Sequence, residues 1–143
     1  MEILSKSLEE TQKIAVEFAA GLIKGSHIAT VFCLYGNLGS GKTTFVQTVA
    51  KSLGIKEIVQ SPTFVIMKSY KLEAVSHKLL IHIDAYRLKS GEELRKLGWN
   101  EISTNPGNLI FIEWPDNAAD VIPTNAIKIK FKFIDENTRQ ITF

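Results

Sequence analysis

The sequence predicts an α/β fold: a mixed, mostly parallel central sheet flanked by helices, with antiparallel strands at the C-terminal edge. Three observations carry that expectation. Residues 30–35 and 109–114 are short, nearly unbroken apolar runs of the kind that suit strands buried on both faces. Segments with apolar residues at helical spacing are interleaved with them. Residues 126–134 alternate strictly, with Ile127, Ile129, Phe131 and Phe133 on one side and Lys128, Lys130 and Lys132 on the other, which marks a half-exposed strand.

Taken in order, Ser7-Leu8-Glu9-Glu10 has capping-box spacing, with Ser7 as N-cap and Glu10 at the third helical position. Ile14, Ala15, Phe18 and Leu22 continue at helical intervals, so a first amphipathic helix is expected over residues 8–24, stopping near Gly25. The strand at 30–35 leads into a glycine-punctuated turn at 36–41. A helix over 42–53 follows, with Phe45, Val49 and Leu53 on one face and Gly54 as its C-terminal cap. Pro62 interrupts an extended stretch. Residues 63–72 and 78–83 read as strands joined by a polar turn at 73–77, which suggests a hairpin. A short helix is expected at 91–97 and a buried strand at 109–114. Residues 139–143 are placed to pair with 126–134 across the turn Asp135-Glu136-Asn137. No repeat or linker interrupts the chain, so residues 1–143 are expected to form one domain.

Composition narrows the function classes. Apolar residues at 45% and charged residues at 22% are an ordinary globular balance. Seventeen Lys and Arg against 15 Asp and Glu give a net charge of +2, without the basic excess or stripe of a dedicated nucleic-acid binder. Cys33 is the single cysteine. It cannot form an intrachain disulfide or a CxxC metal site, and its apolar neighbours make it a small core residue. No apolar run approaches the about 20 residues that cross a bilayer. The segment 1–10 is acidic and mixed rather than basic and then apolar, so the expected location is the cytoplasm, away from the membrane.

Gly36-Asn37-Leu38-Gly39-Ser40-Gly41-Lys42-Thr43 satisfies G-x-x-x-x-G-K-[ST], the P-loop pattern, and Thr44 extends it into the helix. Glycines let the backbone curl with its N–H groups inward. With the N-terminal end of the next helix, those amides cradle phosphate. Lys42 supplies a cation for the β and γ phosphates of ATP, and the Thr43 hydroxyl is a ligand type for Mg²⁺. A glycine turn that merely precedes a helix is the plain alternative. The buried strand before the loop and the helix after it are the context that the phosphate reading requires, and they define a P-loop NTPase-like sandwich.

Two carboxylates end strand-like runs: Asp84 after Leu79-Leu80-Ile81-His82-Ile83, and Glu113 after Leu109-Ile110-Phe111-Ile112. In open α/β sheets ligands bind beyond the carboxyl ends of strands, so both are candidate acids on the magnesium side, directly or through water. The residues do not rank them, and a strand-end acid that merely pairs with a base such as Arg87 is the bland reading for Asp84. His82 reads as a histidine packed inside its strand. There is no N-K-x-D guanine motif, and Asp84 is followed by Ala85-Tyr86-Arg87 rather than a D-x-x-G switch, which argues against a GTPase. The chain is too short for an ABC ATPase and shows no Arg-rich kinase lid.

The P-loop with Thr44-Phe45, then Ser61-Pro62-Thr63-Phe64, His82-Ile83-Asp84-Ala85-Tyr86-Arg87-Leu88 and Glu113-Trp114-Pro115, occur in that order. In this arrangement the chain closely resembles, over nearly its whole length, the bacterial TsaE (YjeE) family, the ATPase of the tRNA threonylcarbamoyladenosine pathway. The resemblance implies that Lys42 binds phosphates, that Thr43 and Glu113 ligate magnesium, and that Asp84 is a second acid at the metal or the attacking water. It implies a switch-type role for Thr63 near the γ-phosphate, and places Trp114 and Thr11 near the nucleotide. Tyr86 and Arg87 become contacts for a partner or for the tRNA-bearing complex. The implied partners are the threonylcarbamoyl transferase pair (TsaB-TsaD-like), with tRNA reached only through that complex and ATP hydrolysis resetting it. Two departures stand out: Asn37 replaces a common Asp, and Lys89-Ser90-Gly91 replaces an Asp-Pro start to the following helix, leaving Ser90 as its cap. A small-molecule kinase, a non-hydrolytic nucleotide-gated assembly factor and a vestigial loop remain the alternatives.

Overall fold

In the computed structural model, which describes residues 1–21, 29–57, 59, 65–72 and 78–143, the chain opens on a strand that the sequence does not announce, β1 (Glu2–Ser5). It is held by antiparallel pairing with the last strand, β7 (Arg139–Thr142), Ile3 standing opposite Ile141. Helix α1 (Leu8–Ala20) starts at the expected cap, the Ser7 hydroxyl accepting the Glu10 N–H at 3.1 Å. The return bond of the capping box lands one residue early: Glu10 Oε2 accepts from the Lys6 N–H at 2.7 Å. Gly21 is the C-cap of α1. Leu22 and the expected stop at Gly25 lie outside the described residues.

Strand β2 (Thr30–Tyr35) runs into the glycine loop and then into α2 (Lys42–Ser52). Gly54, just past the C-cap Leu53, takes φ +89°, the left-handed turn that ends a helix. The expected hairpin forms from β3 (Met67–Leu72) and β4 (Lys78–Asp84), with Met67 opposite Ile83 and Leu72 opposite Lys78. Its first strand begins at Met67 rather than at 63. Ile66 has φ +69°, a conformation that no strand continues through, and residues 61–64 lie outside the described residues.

The remainder comprises α3 (Glu92–Lys96), the unexpected α4 (Trp99–Thr104), β5 (Leu109–Glu113), a 3-10 segment at Pro115–Val121, and β6 (Ile127–Phe133). The N-cap of α3 is Gly91 rather than the expected Ser90; the Ser90 hydroxyl, one residue earlier, accepts the Glu92 N–H at 3.3 Å.

Among the described residues these strands form one seven-stranded sheet in the order β1-β7-β6-β2-β5-β4-β3. Strands β6, β2, β5 and β4 run parallel. The antiparallel strands lie outside them, with β7 and β1 on one side and β3 on the other. Helices α1 and α2 cover one face, where Phe32, Leu34, Phe45, Val49, Phe111 and Phe131 are buried together. The other face packs Val31, Cys33, Ile81, Ile83, Ile110 and Ile112 against Leu94, Trp99 and Ala118. Cys33 is fully buried, as expected. Among the described residues no helix is long and apolar enough to cross a membrane.

Candidate functional site

The loop between β2 and α2 is shaped by its glycines. Gly36 has φ +152°, and a Cβ there would lie 2.6 Å from the Phe131 carbonyl oxygen, so only glycine fits between the loop and β6. A turn from Asn37 to Ser40 is closed by the Ser40 N–H donating to the Asn37 carbonyl at 3.1 Å. Gly41, at φ +101°, is the N-cap of α2 and offers no side-chain cap. The amides of Lys42, Thr43 and Thr44 therefore border the site without a capping side chain, at the positive end of the helix dipole. They line a cavity of about 370 Å³ together with Leu38, Gly39, Ser40 and Gly41.

The carboxyl ends of two parallel strands, β4 and β5, deliver the acids. Glu113 closes β5, paired with Leu34 of β2 on one side and Asp84 of β4 on the other. The Thr43 hydroxyl lies 3.3 Å from both carboxylate oxygens of Glu113. Asp84 Oδ1 accepts the Tyr86 N–H at 2.9 Å. Both acids are nearly buried, at 4% and 6% exposure. The backbone is strained beside each. Trp114 follows Glu113 at φ +59°, and the left-handed Ile66 places its carbonyl 2.8 Å from the Asp84 N–H. Non-glycine residues in that region cluster at functional sites. His82 is buried within its strand as expected, but it also has a partner that the sequence did not reveal: its Nε2 is 2.5 Å from Glu113 Oε2.

Lys42 is 4% exposed, with Nζ 2.5 Å from the Gly36 carbonyl and 4.0 Å from the centroid of the Trp114 ring. Burial pushes its pKa below the ordinary lysine value, while Glu113 and Asp84 pull it back. The Tyr86 ring meets the Trp114 ring edge-on at 5.1 Å and is itself 51% exposed.

Thr11 joins the lining from α1, its hydroxyl 2.7 Å from that of Ser5. Gly36, Asn37, Asp84 and Trp114 do not line the cavity themselves; Asp84 stands beside Glu113 in the sheet and the Trp114 ring lies under Lys42 Nζ. Thr63 lies outside the described residues. Three further lining residues, Glu136, Asn137 and Arg139, come from the β6–β7 return, where the sequence announces only a turn and a strand. Arg139 is anchored by Nη1 donating to the Asp135 and Thr138 carbonyls at 2.5 and 3.0 Å. The one signal for them was a cation and two polar groups in a turn, which most surface turns carry.

Comparison with known proteins gives a consistent result. The family model described as threonylcarbamoyl adenosine biosynthesis protein TsaE matches residues 5–141. A Rickettsia bellii protein named tRNA threonylcarbamoyladenosine biosynthesis protein TsaE is 36% identical over 139 residues, covering 96% of this chain and 90% of its own. A Bacillus subtilis protein of the same name is 36% identical over 135 residues, covering 94% of this chain and 79% of its own. The crystal structure of YdiB from Bacillus subtilis superposes with a TM-score of 0.76 at 30% identity, covering 99% of this chain and 82% of that one.

Proposed function

The chain belongs to the TsaE family, and on that premise we propose that it is a magnesium-dependent ATPase of the cytoplasm serving the threonylcarbamoyl transferase that modifies an adenosine of tRNA. The observation that carries this reading is the meeting of Thr43, at the first turn of α2, with Glu113, at the end of β5, beside the uncapped loop.

The residues fit the groups. The glycine loop and the open first turn of α2 suit the phosphates of ATP or ADP, and Lys42 supplies the buried cation. Thr11, Asn137 and Arg139, which line the same cavity, would offer polar contacts to the rest of the nucleotide. Thr43 and Glu113 would hold Mg²⁺. Magnesium commonly takes one or two protein ligands and completes its shell with phosphate and water. Magnesium supplies charge neutralisation on the β and γ phosphates when bound.

The chain's own groups do the rest. Lys42 counters the charge that develops as the water oxygen bonds to the γ-phosphorus and the bond to the bridging oxygen breaks, releasing ADP. Asp84, beside Glu113 rather than against Thr43, orients the attacking water. The family resemblance adds Thr63 near the γ-phosphate. No arginine finger stands in the motifs, so turnover is slow until a partner completes the site. The half-exposed Tyr86–Trp114 pair is where the TsaB-TsaD-like transferase pair senses it. tRNA is met only through that complex, in keeping with a net charge of +2.

The test is phosphate release from Mg-ATP with and without the purified transferase pair. Strong stimulation by the pair supports the reading. Tight ATP binding with no release in either condition overturns hydrolysis and favours a kinase or a nucleotide-gated assembly factor.

A further inference from the structure

Strand β4 carries a polar side chain that this mechanism does not use. His82 is fully buried, two residues before Asp84. In the parallel pairing of β4 with β5, His82 stands opposite Phe111 and Asp84 opposite Glu113. Side chains alternate along a strand, so these four share one face of the sheet, the face on which Phe111 packs toward α2. His82 is therefore diagonal to Glu113 and one row deeper in the core.

From that row its Nε2 reaches Glu113 Oε2 at 2.5 Å. A carboxylate oxygen only accepts, so Nε2 carries the proton. The other ring nitrogen, Nδ1, is buried and has no hydrogen-bond partner among the described residues. The polar capacity of the ring is thus directed at Glu113. A histidine kept only for packing would be better replaced by an aromatic ring, because leaving one buried nitrogen unpartnered costs free energy.

We propose that His82 is a positioning residue for Glu113. It ties Oε2 back into the sheet and fixes the plane of the carboxylate, so that Oε1 and the Thr43 hydroxyl face the site together. The inference rests on the reading of Thr43 and Glu113 as the magnesium pair. It extends that pair by a partner in the strand behind, of the kind whose loss weakens metal binding about 10- to 100-fold.

The experiment measures affinity for a fluorescent ADP analogue across a MgCl₂ titration and again in EDTA, with a thermal melt for every protein. The set is wild type, Glu113→Gln, His82→Phe, His82→Gln and His82→Asn. Wild type should bind more tightly as magnesium rises, and Glu113→Gln should lose that response. His82→Phe should need about tenfold more magnesium for half-response, with its EDTA affinity within about twofold of wild type. His82→Gln, whose side-chain amide reaches where Nε2 stood, should restore the response, and the shorter His82→Asn should not. If wild type or Glu113→Gln behaves otherwise, the magnesium reading itself fails and takes this inference with it. If those two behave as expected but a folded His82→Phe responds like wild type, the positioning role alone is wrong. Should His82→Phe fail to fold, Gln and Asn decide, and equal responses from them overturn the proposal.

Discussion

The Thr43 hydroxyl stands 3.3 Å from both oxygens of the Glu113 carboxylate, although 70 residues separate them in the chain. The parallel pairing of β2 with β5 makes this contact, because it brings the exit of one strand beside the last residue of the other. Replacing Glu113 by Ala should therefore act on magnesium chemistry rather than on the loop. Magnesium-dependent phosphate release should fall about 100-fold, while ADP binding measured in EDTA should change less than about threefold. Equal losses in the two assays would remove Glu113 from the metal side.

Lys42 lies over the Trp114 ring at 4.0 Å and on the Gly36 carbonyl. Phosphates in the loop would draw its ammonium away from both. Lys42→Ala should weaken Mg-ATP binding by about 100-fold; normal turnover in that variant would sink the mechanism. The same movement makes Trp114 a reporter. The only other tryptophan, Trp99, is 3% exposed, buried in the cluster around Leu94 against which the partly buried Trp114 packs. Nucleotide binding should change the intrinsic emission of the wild type, and Trp114→Phe should abolish the change. An unaltered response in Trp114→Phe would mean that the signal comes from Trp99 and that the contact with Lys42 is incidental.

What was legible in the sequence was local. The P-loop, the Ser7 cap, the β6 alternation and the C′ glycine at Gly54 each depend on residues within a few positions of one another, and each forms where spacing put it. Strand β1 escaped because its four residues are stabilised only by β7, at the other end of the chain. The short α4 escaped because Ile102 and Thr104 are mediocre helix formers and the left-handed Gly98 starts it without a capping side chain. In the site, the loop and both acids were readable from strand-end position. Which of the two meets Thr43 was not, because that depends on which strand neighbours β2. The His82–Glu113 contact and the Arg139 wall are diagonal or long-range products of register, which no short window of sequence encodes.

Gly36 and Gly39 look equivalent as loop glycines, but they differ in what surrounds them. A Cβ at Gly36 would meet the Phe131 carbonyl and the Ser40 hydroxyl, both at 2.6 Å, and the carbonyl belongs to a strand that cannot yield. At Gly39 nothing lies within 4 Å, so only the φ of +78° is unfavourable. Gly36→Ala should destabilise the fold by about 2–4 kcal/mol and disorder the phosphate site. Gly39→Ala should cost about 1 kcal/mol. Urea denaturation of the two variants checks this, and similar losses would show that the loop relaxes away from β6.

Cys33 gives the fold an alkaline limit. Burial in β2 raises its thiol pKa from 9.0 to about 11, with Lys128 opposing and Asp116 adding to the shift. Below pH 9 the thiol is protonated in both folded and unfolded chains and contributes nothing that varies with pH. Between about 9 and 11 the unfolded chain releases the proton and the folded chain keeps it, so stability falls as pH rises, at about 1.4 kcal/mol per unit for this group. Lys42 works in the opposite direction, since its lowered pKa lets the folded chain shed a proton first, but it is present in wild type and variant alike. Cys33→Ala should therefore be less stable than wild type near pH 8, from the lost packing, yet lose less stability between pH 9 and 10.5. Urea midpoints at four pH values for both proteins measure the difference in slope. Parallel curves would mean that the thiol ionises in place, in contact with water that the buried position excludes.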